Sequence, residues 1–258
     1  KFFWICLSET IFKFSNDRTS TFKLHILPKD KINLIQDDSI EFFIDKVKEN
    51  AGFLNYEEKN KVKIIYGDCC EVMQHKLEEK FKIICTSPPY GDNSTTVTYG
   101  QASILYLKWI DNRDLSCDPC ILKKYSTIDK ISIGGEKRKV CNTNDIQSLN
   151  EYLNVISVDK RGKVINFFED YCAVLKSMES SLSKEGYLIM IVGNRSIDAI
   201  MQPLDNITIE IADKLGLQIV SKFNRNILYK KTPLTLSSAK NEKIVKSISK
   251  ETILIFTK

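Results

Sequence analysis

Residues 81–92 have the sequence FKIICTSPPYGD, an apolar segment that stops at two consecutive prolines. The segment from Phe81 to Cys85 has the length and apolar content of a buried β-strand. Pro88 and Pro89 have no backbone N–H to donate, so the strand is expected to end before them. Because open α/β sheets bind ligands beyond the carboxyl ends of their parallel strands, the sequence predicts a site in this loop.

A second strand is predicted just upstream, from Val62 to Tyr66, followed by Gly67-Asp68. Between the two predicted strands, the segment from Glu71 to Glu79 fits a short helix. The order strand, helix, strand predicts a parallel pair joined by a right-handed crossover.

Downstream, helix patterns alternate with strand patterns. Apolar residues recur at spacings of three and four from Lys163 to Leu182, which predicts a helix that packs one face on the sheet. Two further helices are predicted, from Ile40 to Ala51 with Ser39 as the N-cap, and from Leu204 to Leu215 with Gly216 closing it. Further strands are predicted at residues 187–192, 217–223 and 252–257. The alternation predicts an α/β fold with a doubly wound sheet.

The periodic pattern breaks down between Asn112 and Arg161, where turn residues and basic clusters replace it. We expect an insertion here, at the carboxyl edge of the sheet, where recognition loops tend to lie. Basic loops on an α/β domain are candidates for contacting phosphates, with ordinary solvated charge as the alternative. The candidate residues, with Arg195 added, are Lys123, Lys124, Arg138 and Lys139.

The composition excludes several classes of protein. The chain has 258 residues, a formal charge of +5, 43% hydrophobic residues and 28% charged residues. These values are typical of a globular domain and exclude a disordered or fibrous chain. No apolar run approaches the roughly 20 residues that span a membrane, and no secretory cleavage pattern follows the amino terminus. We therefore expect no membrane association and a cytoplasmic location.

The chain has eight cysteines, too few for a disulfide scaffold of this length, so we expect free thiols. Cys117 and Cys120 form one Cys-x-x-Cys pair, and a zinc site there would need a distant fourth ligand in addition to Cys141. His25 and His75 do not have metal-ligand spacing to a Cys or carboxylate pair. The sequence therefore predicts no metal site.

The double proline makes the loop rigid. It holds the hydroxyl of Ser87, the proline carbonyls and the ring of Tyr90 in a fixed relative geometry. Oxygen acceptors placed in this way suit a ligand that donates hydrogen bonds, such as an exocyclic amine. Two alternatives are a simple strand stop with a packing tyrosine, and a polyproline ligand for a partner domain. A motif that adjoins a buried strand is poorly exposed for the second of these.

Ser87-Pro88-Pro89-Tyr90 at the end of an apolar strand resembles the catalytic loop of the amino-group DNA methyltransferases, which use S-adenosylmethionine. The serine form resembles the cytosine-N4-specific branch. The resemblance continues from Gly91 to Gln101, upstream at Ser8-Glu9-Thr10, and downstream at Val192-Gly193-Asn194-Arg195. It implies a Rossmann-like class I methyltransferase sheet, double-stranded DNA as a partner, and a role in a restriction-modification system.

The resemblance also implies roles for single residues. Ser87 and the Pro88 carbonyl would accept the N–H groups of a flipped cytosine, Pro89 belongs to the same catalytic loop, and Tyr90 would stack on the base. The cofactor-binding residues that it implies are Asp68, Cys69 and Thr86, although Asp68 has a second interpretation as the cap of the following helix. The substrate-binding residues that it implies are Gly91, Asp92, Thr95, Thr96, Asn194 and Arg195.

The chain departs from that family at the cofactor motif. None of its ten glycines is separated from another by one residue, so there is no G-x-G turn for the cofactor. We expect an incomplete sheet and a second polypeptide carrying the glycine-rich half, so that the chain is part of a split or cleaved enzyme. The alternatives are an adenine-N6 methyltransferase of the same fold and a relic that binds DNA or serves as a scaffold without catalysis.

Overall fold

A computed structural model describes most of the chain in two compact units. The described residues are 1–17, 24–55, 62–75, 79–92, 96, 98–115, 119–135, 142–227, 235–237, 244–246 and 248–258. The first unit comprises Lys1–Ile64 and Val97–Asp129, and the second comprises Ile65–Thr96 and Lys130–Lys258.

The helices are α1 (Phe2–Phe14), α2 (Lys29–Ile32), α3 (Ser39–Gly52), α4 (Cys69–His75), α5 (Tyr99–Leu107), α6 (Tyr125–Lys130), α7 (Gln147–Val155), α8 (Val158–Ser181) and α9 (Leu204–Lys214). The strands are β1 (Phe81–Thr86), β2 (Leu182–Val192), β3 (Ser196–Ile197), β4 (Ile200–Met201), β5 (Gln218–Asn226), β6 (Thr235–Ser237), β7 (Ile244–Lys246) and β8 (Lys250–Thr257). Short 3₁₀ helices occupy Phe53–Asn55, Asn112–Asp114 and Pro119–Lys123.

The first unit is helical, and α1 packs against both α3 and α5. Cys6 of α1 is fully buried, and its Sγ accepts a hydrogen bond from Asn50 Nδ2 of α3 at 3.4 Å. The predicted helix at 40–51 is confirmed as α3. Its N-cap position is Asp38 rather than Ser39, because Ser39 already has helical geometry and its hydroxyl donates to Asp37.

The second unit contains a four-stranded mixed sheet with the order β1-β2-β8-β5. β1 and β2 are parallel, whereas β8 runs antiparallel to both β2 and β5. The carboxyl ends of β1, β2 and β5 therefore lie at one edge of the sheet, together with the amino end of β8. That edge carries the loop that begins at Ser87.

The predicted pairing of residues 62–66 with Phe81–Cys85 is wrong. Residues 62–66 have no strand structure, and Ile64 is 92% exposed. β1 instead pairs with β2, and Thr86 lies opposite Met190. An apolar pattern sets the tendency of a segment to form a strand, but a strand also needs a neighbour, which no local pattern specifies.

The core lies between α8 and the sheet, as the apolar spacing predicted. The buried residues on this face of α8 are Val164, Phe167, Phe168, Tyr171, Leu175 and Met178. The residues of β2 and β8 in the same cluster are Leu182, Leu188, Met190, Val192, Leu254 and Phe256. Burying each large apolar side chain contributes about 1.5–3 kcal/mol, so this face accounts for a large part of the stability of the unit.

A buried polar contact joins α8 to α9. The hydroxyls of Tyr171 and Thr208 lie 2.8 Å apart, and Thr208 Oγ1 donates to the Leu204 carbonyl at 2.6 Å. Since that bond uses the one hydroxyl hydrogen of Thr208, Tyr171 must be the donor between the two. Burial raises the pKa of Tyr171, which keeps this phenol in its donating form.

The opposite face of the sheet is more open. Ile83 of β1 is 62% exposed, and its neighbour Tyr187 and Phe223 of β5 are also exposed. A sheet with helices packed on one face and apolar side chains showing on the other fits a mixed α/β fold. A doubly wound sheet has helices on both faces, and that part of the predicted fold stays a prediction.

The other predicted elements are confirmed with shifted ends. α4 begins at Cys69, α8 begins five residues before the predicted start, and β5 and β8 are longer than predicted. Gly216 has a φ of +82°, as expected of a glycine that ends a helix. The predicted insertion at 112–161 contains α6, α7 and the start of α8, and its proposed role in recognition stays a prediction.

None of the helices in the described ranges is both long enough and apolar enough to cross a bilayer.

Candidate active site

The double-proline loop lies at the surface of the second unit. Ser87 is exposed, Pro88, Pro89 and Tyr90 are partly buried, and the following Gly91-Asp92 is buried. The loop therefore has the exposure that a ligand requires, while its carboxyl-terminal end is fixed in the protein.

Among the described residues, two polar groups lie near the hydroxyl of Ser87, both in this unit. Ser87 Oγ lies 3.4 Å from the hydroxyl of Tyr90 and 3.4 Å from the backbone carbonyl of Ile191 on β2. Both distances are long for hydrogen bonds between oxygens. The hydroxyl is therefore held in place only weakly by the protein, and it can contact a ligand.

Tyr90 is fixed more firmly, by a residue that no local sequence motif indicates. Its hydroxyl donates to Glu251 Oε1 on β8 at 2.6 Å. The other carboxylate oxygen of Glu251 accepts from Arg225 of β5, at 2.8 Å from Nη2 and 2.9 Å from Nε. Burial, followed by the hydrogen bond to Glu251, raises the pKa of Tyr90 to about 12. Tyr90 is therefore a neutral phenol at neutral pH.

Gly193 follows β2 and adjoins the ring of Tyr90. A Cβ atom at this position would lie 2.6 Å from Cε2 of that ring, closer than carbon atoms approach in proteins. The absence of a side chain at Gly193 thus allows the ring to lie against the backbone. The carboxyl ends of β1, β2 and β5 and the start of β8 together position the loop.

Asp92, at the carboxyl-terminal end of the loop, is buried and pairs with the largely buried Arg195. Arg195 Nη1 lies 3.5 Å from Asp92 Oδ1, and the two side chains are 12% and 5% exposed. Burial lowers the pKa of Arg195, and the charges of Asp92 and Tyr152 oppose that shift. The structure thus gives Arg195, a candidate for contacting DNA, a partner inside the protein.

Asn194 is engaged at the start of α9. Its side chain donates to Asp205 Oδ1 at 2.8 Å and accepts from the Asp205 backbone N–H at 3.2 Å. Asp205 Oδ2 also pairs with Lys222 at 2.7 Å. Substrate binding by Asn194 and Arg195 stays a prediction, and the contacts described here hold the strand end and the helix together.

The remaining predicted substrate contacts are divided between described and undescribed residues. The Thr96 hydroxyl donates to the backbone carbonyl of Asp92 at 2.7 Å, which closes a turn after the loop. Thr95 lies outside the described residues, as do Arg138 and Lys139. Lys123 and Lys124 are exposed. A role in binding stays a prediction for each of them.

The predicted cofactor residues lie at the start of α4 and the end of β1. Asp68 Oδ1 accepts the backbone N–H of Cys70 at 2.9 Å, so this carboxylate caps α4, as its second interpretation proposed. Cys69 is exposed, and Thr86 is the last residue of β1. Cofactor binding by Asp68, Cys69 and Thr86 stays a prediction.

Two adjacent thiols follow Asp68. One ligand atom from each of Asp68, Cys69 and Cys70 can lie within 4.8 Å of the others. A hydrogen bond from Cys69 lowers the pKa of Cys70 to about 7, and the same bond raises the pKa of Cys69. These consecutive residues offer three ligands, one fewer than a structural zinc site uses. Cys117 and Cys141 lie outside the described residues.

A cavity of about 290 Å³ lies elsewhere in this unit, lined by α9, β5 and the end of β8. Its lining includes Phe256, which is near the opposite end of β8 from Glu251. The cavity is therefore separate from the loop site.

Comparison with known proteins supports the resemblance to methyltransferases. The chain is 31% identical over 260 residues to the type II methyltransferase M.MvaI of Kocuria varians. The similarity covers 90% of this chain and 54% of that protein, so the chain spans about half the length of its relative. No protein-family model and no solved structure matches the chain.

Proposed function

We propose that this chain is the base-binding part of a DNA methyltransferase that methylates the exocyclic N4 amine of a flipped cytosine at a specific site. The observation that carries the proposal is the loop Ser87-Pro88-Pro89-Tyr90, placed with its hydroxyl exposed at the carboxyl edge of the sheet. The similarity to M.MvaI supports the reaction class. A place in a restriction-modification system belongs to the same proposal.

The chemistry explains why this loop needs a hydroxyl and a carbonyl. The N4 nitrogen of cytosine is a weak nucleophile because its lone pair is delocalised into the ring. Acceptance of its two N–H groups by Ser87 Oγ and the Pro88 carbonyl favours a pyramidal nitrogen with its lone pair directed outward. S-adenosylmethionine would supply the methyl carbon with its sulfur as the leaving group, and the proton lost from N4 would pass to solvent beside the exposed hydroxyl of Ser87. No covalent bond to the protein is required.

Tyr90 provides the surface on which the flipped base stacks. Base flipping costs a few kcal/mol, which stacking on an aromatic ring offsets in part. Gly193 and Glu251 fix the ring before the base arrives, so little conformational entropy is lost on binding.

S-adenosylmethionine would supply an electrophilic methyl group beside this loop. The residues of this chain fit only part of that cofactor. Asp68 is engaged as a helix cap, and the sequence has no G-x-G turn to approach the cofactor closely. We therefore include in the proposal a second polypeptide that carries the glycine-rich half. The exposed edge strand β1 offers it a place to add further strands.

The test is methyl transfer from labelled S-adenosylmethionine to double-stranded DNA by the protein together with its glycine-rich half. The DNA is then digested, and the nucleosides are identified by mass spectrometry. We expect N4-methylcytosine, and a loss of at least a hundredfold in rate for Ser87→Ala and Tyr90→Ala. Ser180→Ala, at an exposed position of α8, is the matched control and is expected to keep the parent rate.

Each other outcome selects an alternative. N6-methyladenine as the product would replace cytosine by adenine as the target base. Unchanged methylation in Ser87→Ala would refute the role of the loop. DNA binding without any methyl incorporation would indicate a noncatalytic subunit.

A further inference from the structure

We propose that Glu251, held by Arg225, is a positioning residue that sets the direction of the hydrogen bonds around Ser87, so that the serine hydroxyl accepts from the amine of the target base. The inference rests on the proposed function, because it concerns the base that Ser87 would contact. The groups involved come from the loop after β1 and from the strands β2, β5 and β8.

The first step is the placement of the carboxylate. Arg225 and Glu251 lie directly opposite each other in the register of β5 and β8. Arg225 binds one carboxylate oxygen through two nitrogens, at 2.8 and 2.9 Å. Glu251 is also the less exposed partner, with 16% of its side chain accessible against 53% for Arg225. The second carboxylate oxygen is thereby directed at Tyr90, 2.6 Å from its hydroxyl.

The second step is the direction of the hydrogen bonds. An ionised carboxylate only accepts, so the single hydrogen of the Tyr90 phenol goes to Glu251. The phenol oxygen can then only accept from Ser87, 3.4 Å away. The other neighbour of Ser87, the carbonyl of Ile191 at 3.4 Å, also only accepts. At 3.4 Å each of the two groups attracts the serine hydrogen weakly towards the protein, and neither of them donates a hydrogen to Ser87 Oγ.

The consequence concerns the lone pairs of Ser87. With its hydrogen directed at Tyr90 or Ile191, Ser87 Oγ presents a lone pair to an incoming N–H group. If Glu251 did not fix the Tyr90 hydrogen, that phenol could donate to Ser87 and occupy the acceptor site that the base needs. Glu251 thus affects the amine without touching it.

The test variant is Glu251→Gln, which keeps the shape of the side chain and reverses one hydrogen bond. A glutamine has a single acceptor oxygen, which Arg225 attracts, so its NH₂ group faces Tyr90 and donates to it. We expect the single-turnover rate of methyl transfer to fall on the order of tenfold to a hundredfold, the range for losing a hydrogen bond to a charged group. The KM for DNA is expected to change less than about threefold, since the acceptor matters most when the amine reacts.

A double-mutant cycle with Tyr90→Phe separates positioning from a structural role. Without the phenol hydroxyl, Glu251 has no route to Ser87, so Glu251→Gln is expected to change the rate of Tyr90→Phe by less than about twofold. If Glu251→Gln lowered the rate by the same factor in the parent and in Tyr90→Phe, the proposal would be overturned. A purely structural defect would act independently of the Tyr90 hydroxyl, so its effect would add to that of Tyr90→Phe. Glu179→Gln, which breaks the ion pair of Glu179 with Lys258 outside the site, is the control and is expected to keep the parent rate.

A second readout does not depend on methyl transfer. The ionisation of Tyr90 can be followed by NMR of ring-labelled tyrosine, with Tyr90→Phe identifying its signal. In Glu251→Gln we expect the pKa of Tyr90 to fall, since the hydrogen bond and the charge of Glu251 both raise it. An unchanged titration would overturn the proposal even in a protein without methyltransferase activity. If the protein has no methyltransferase activity and Glu251→Gln still lowers the pKa of Tyr90, the contact between Glu251 and Tyr90 is supported. The missing activity then refutes the proposed function.

Discussion

At the scale of single residues, the candidate site consists of a stiff loop and the groups that restrain its tyrosine. Ser87 is exposed and has two weak neighbours, whereas Tyr90 has a short bond to Glu251 and packs against Gly193. The hydroxyl of Ser87 can thus contact a ligand, while the ring of Tyr90 keeps its orientation. Of these four residues, only Ser87 and Tyr90 carry a local sequence signal of a site.

Gly193→Ala tests the restraint on the Tyr90 ring. The added methyl group would lie 2.6 Å from Cε2 of the ring, so either the ring or the end of β2 must shift. We expect the free energy of unfolding to fall by about 1–3 kcal/mol, the usual cost of overpacking, and methyl transfer to decrease. Chemical denaturation and the labelled-methyl assay measure the two effects.

Gly162→Ala is the matched control for that variant. Gly162 lies in α8, and a Cβ atom there would meet no atom within 4 Å. We expect this change to be neutral or to stabilise the protein, because alanine has a higher helix propensity than glycine. A Gly193→Ala protein as stable and as active as the parent would contradict the close packing of the ring.

At the scale of elements, the start of α9 is joined to β2 and β5 by polar contacts. Asp205 binds Asn194 after β2 and Lys222 of β5. Burial alone would raise the pKa of Asp205, but the hydrogen bonds from Lys222 and Asn194 outweigh burial and lower the pKa below its ordinary value of 3.8. These contacts set the angle at which the chain leaves the sheet edge.

The lowered pKa of Asp205 predicts a pH dependence of stability. The unfolded state binds a proton at Asp205 at higher pH than the folded state, so the stability is fully present above the unfolded pKa of about 4 and is lost as pH falls below that value, through the lower pKa of the folded state. We expect Asp205→Asn to cost on the order of 1 kcal/mol at pH 7, with a smaller difference from the parent below pH 4. Urea denaturation at several pH values measures this difference.

The exposed Asp213 of α9 offers a control, because Asp213→Asn removes one negative charge from the same helix without breaking the contacts of Asp205. A constant difference between Asp205→Asn and the parent across this pH range would contradict the assigned pairing.

At the scale of the whole molecule, the sheet has one covered and one open face. Its edge strand β1 exposes Ile83, while β8 is bonded on both sides by β2 and β5. Edges of this kind accept further strands. The proposed glycine-rich half would extend the sheet from β1.

Hydrogen exchange can detect that extension. We expect the outward-facing amides of β1 to exchange quickly in this chain alone and to become protected when the glycine-rich half is added. The β8 peptide, already paired on both sides, serves as the internal control and should keep its protection. If the assembly is active in methyl transfer and the β1 amides still exchange quickly, the glycine-rich half does not add its strands to β1.

Much of the second unit follows from local patterns. The apolar spacing of α8 identified the face that is now buried, because a helix with a continuous apolar stripe can bury it in only one orientation. The double proline fixed the end of β1 for a similarly local reason, since proline cannot donate to a sheet.

The tertiary structure decided what depends on neighbours distant in sequence. Residues 62–66 have the composition of a strand, yet β1 pairs with β2, about a hundred positions later in the chain. The register of β5 and β8 places Arg225 beside Glu251 and both beside Tyr90, and no spacing in the sequence signals that group. The sequence by itself thus determined which segments are apolar and where they stop. The pairing of strands decided which polar groups meet, because hydrogen bonds between strands join residues whose separation along the chain no local pattern encodes.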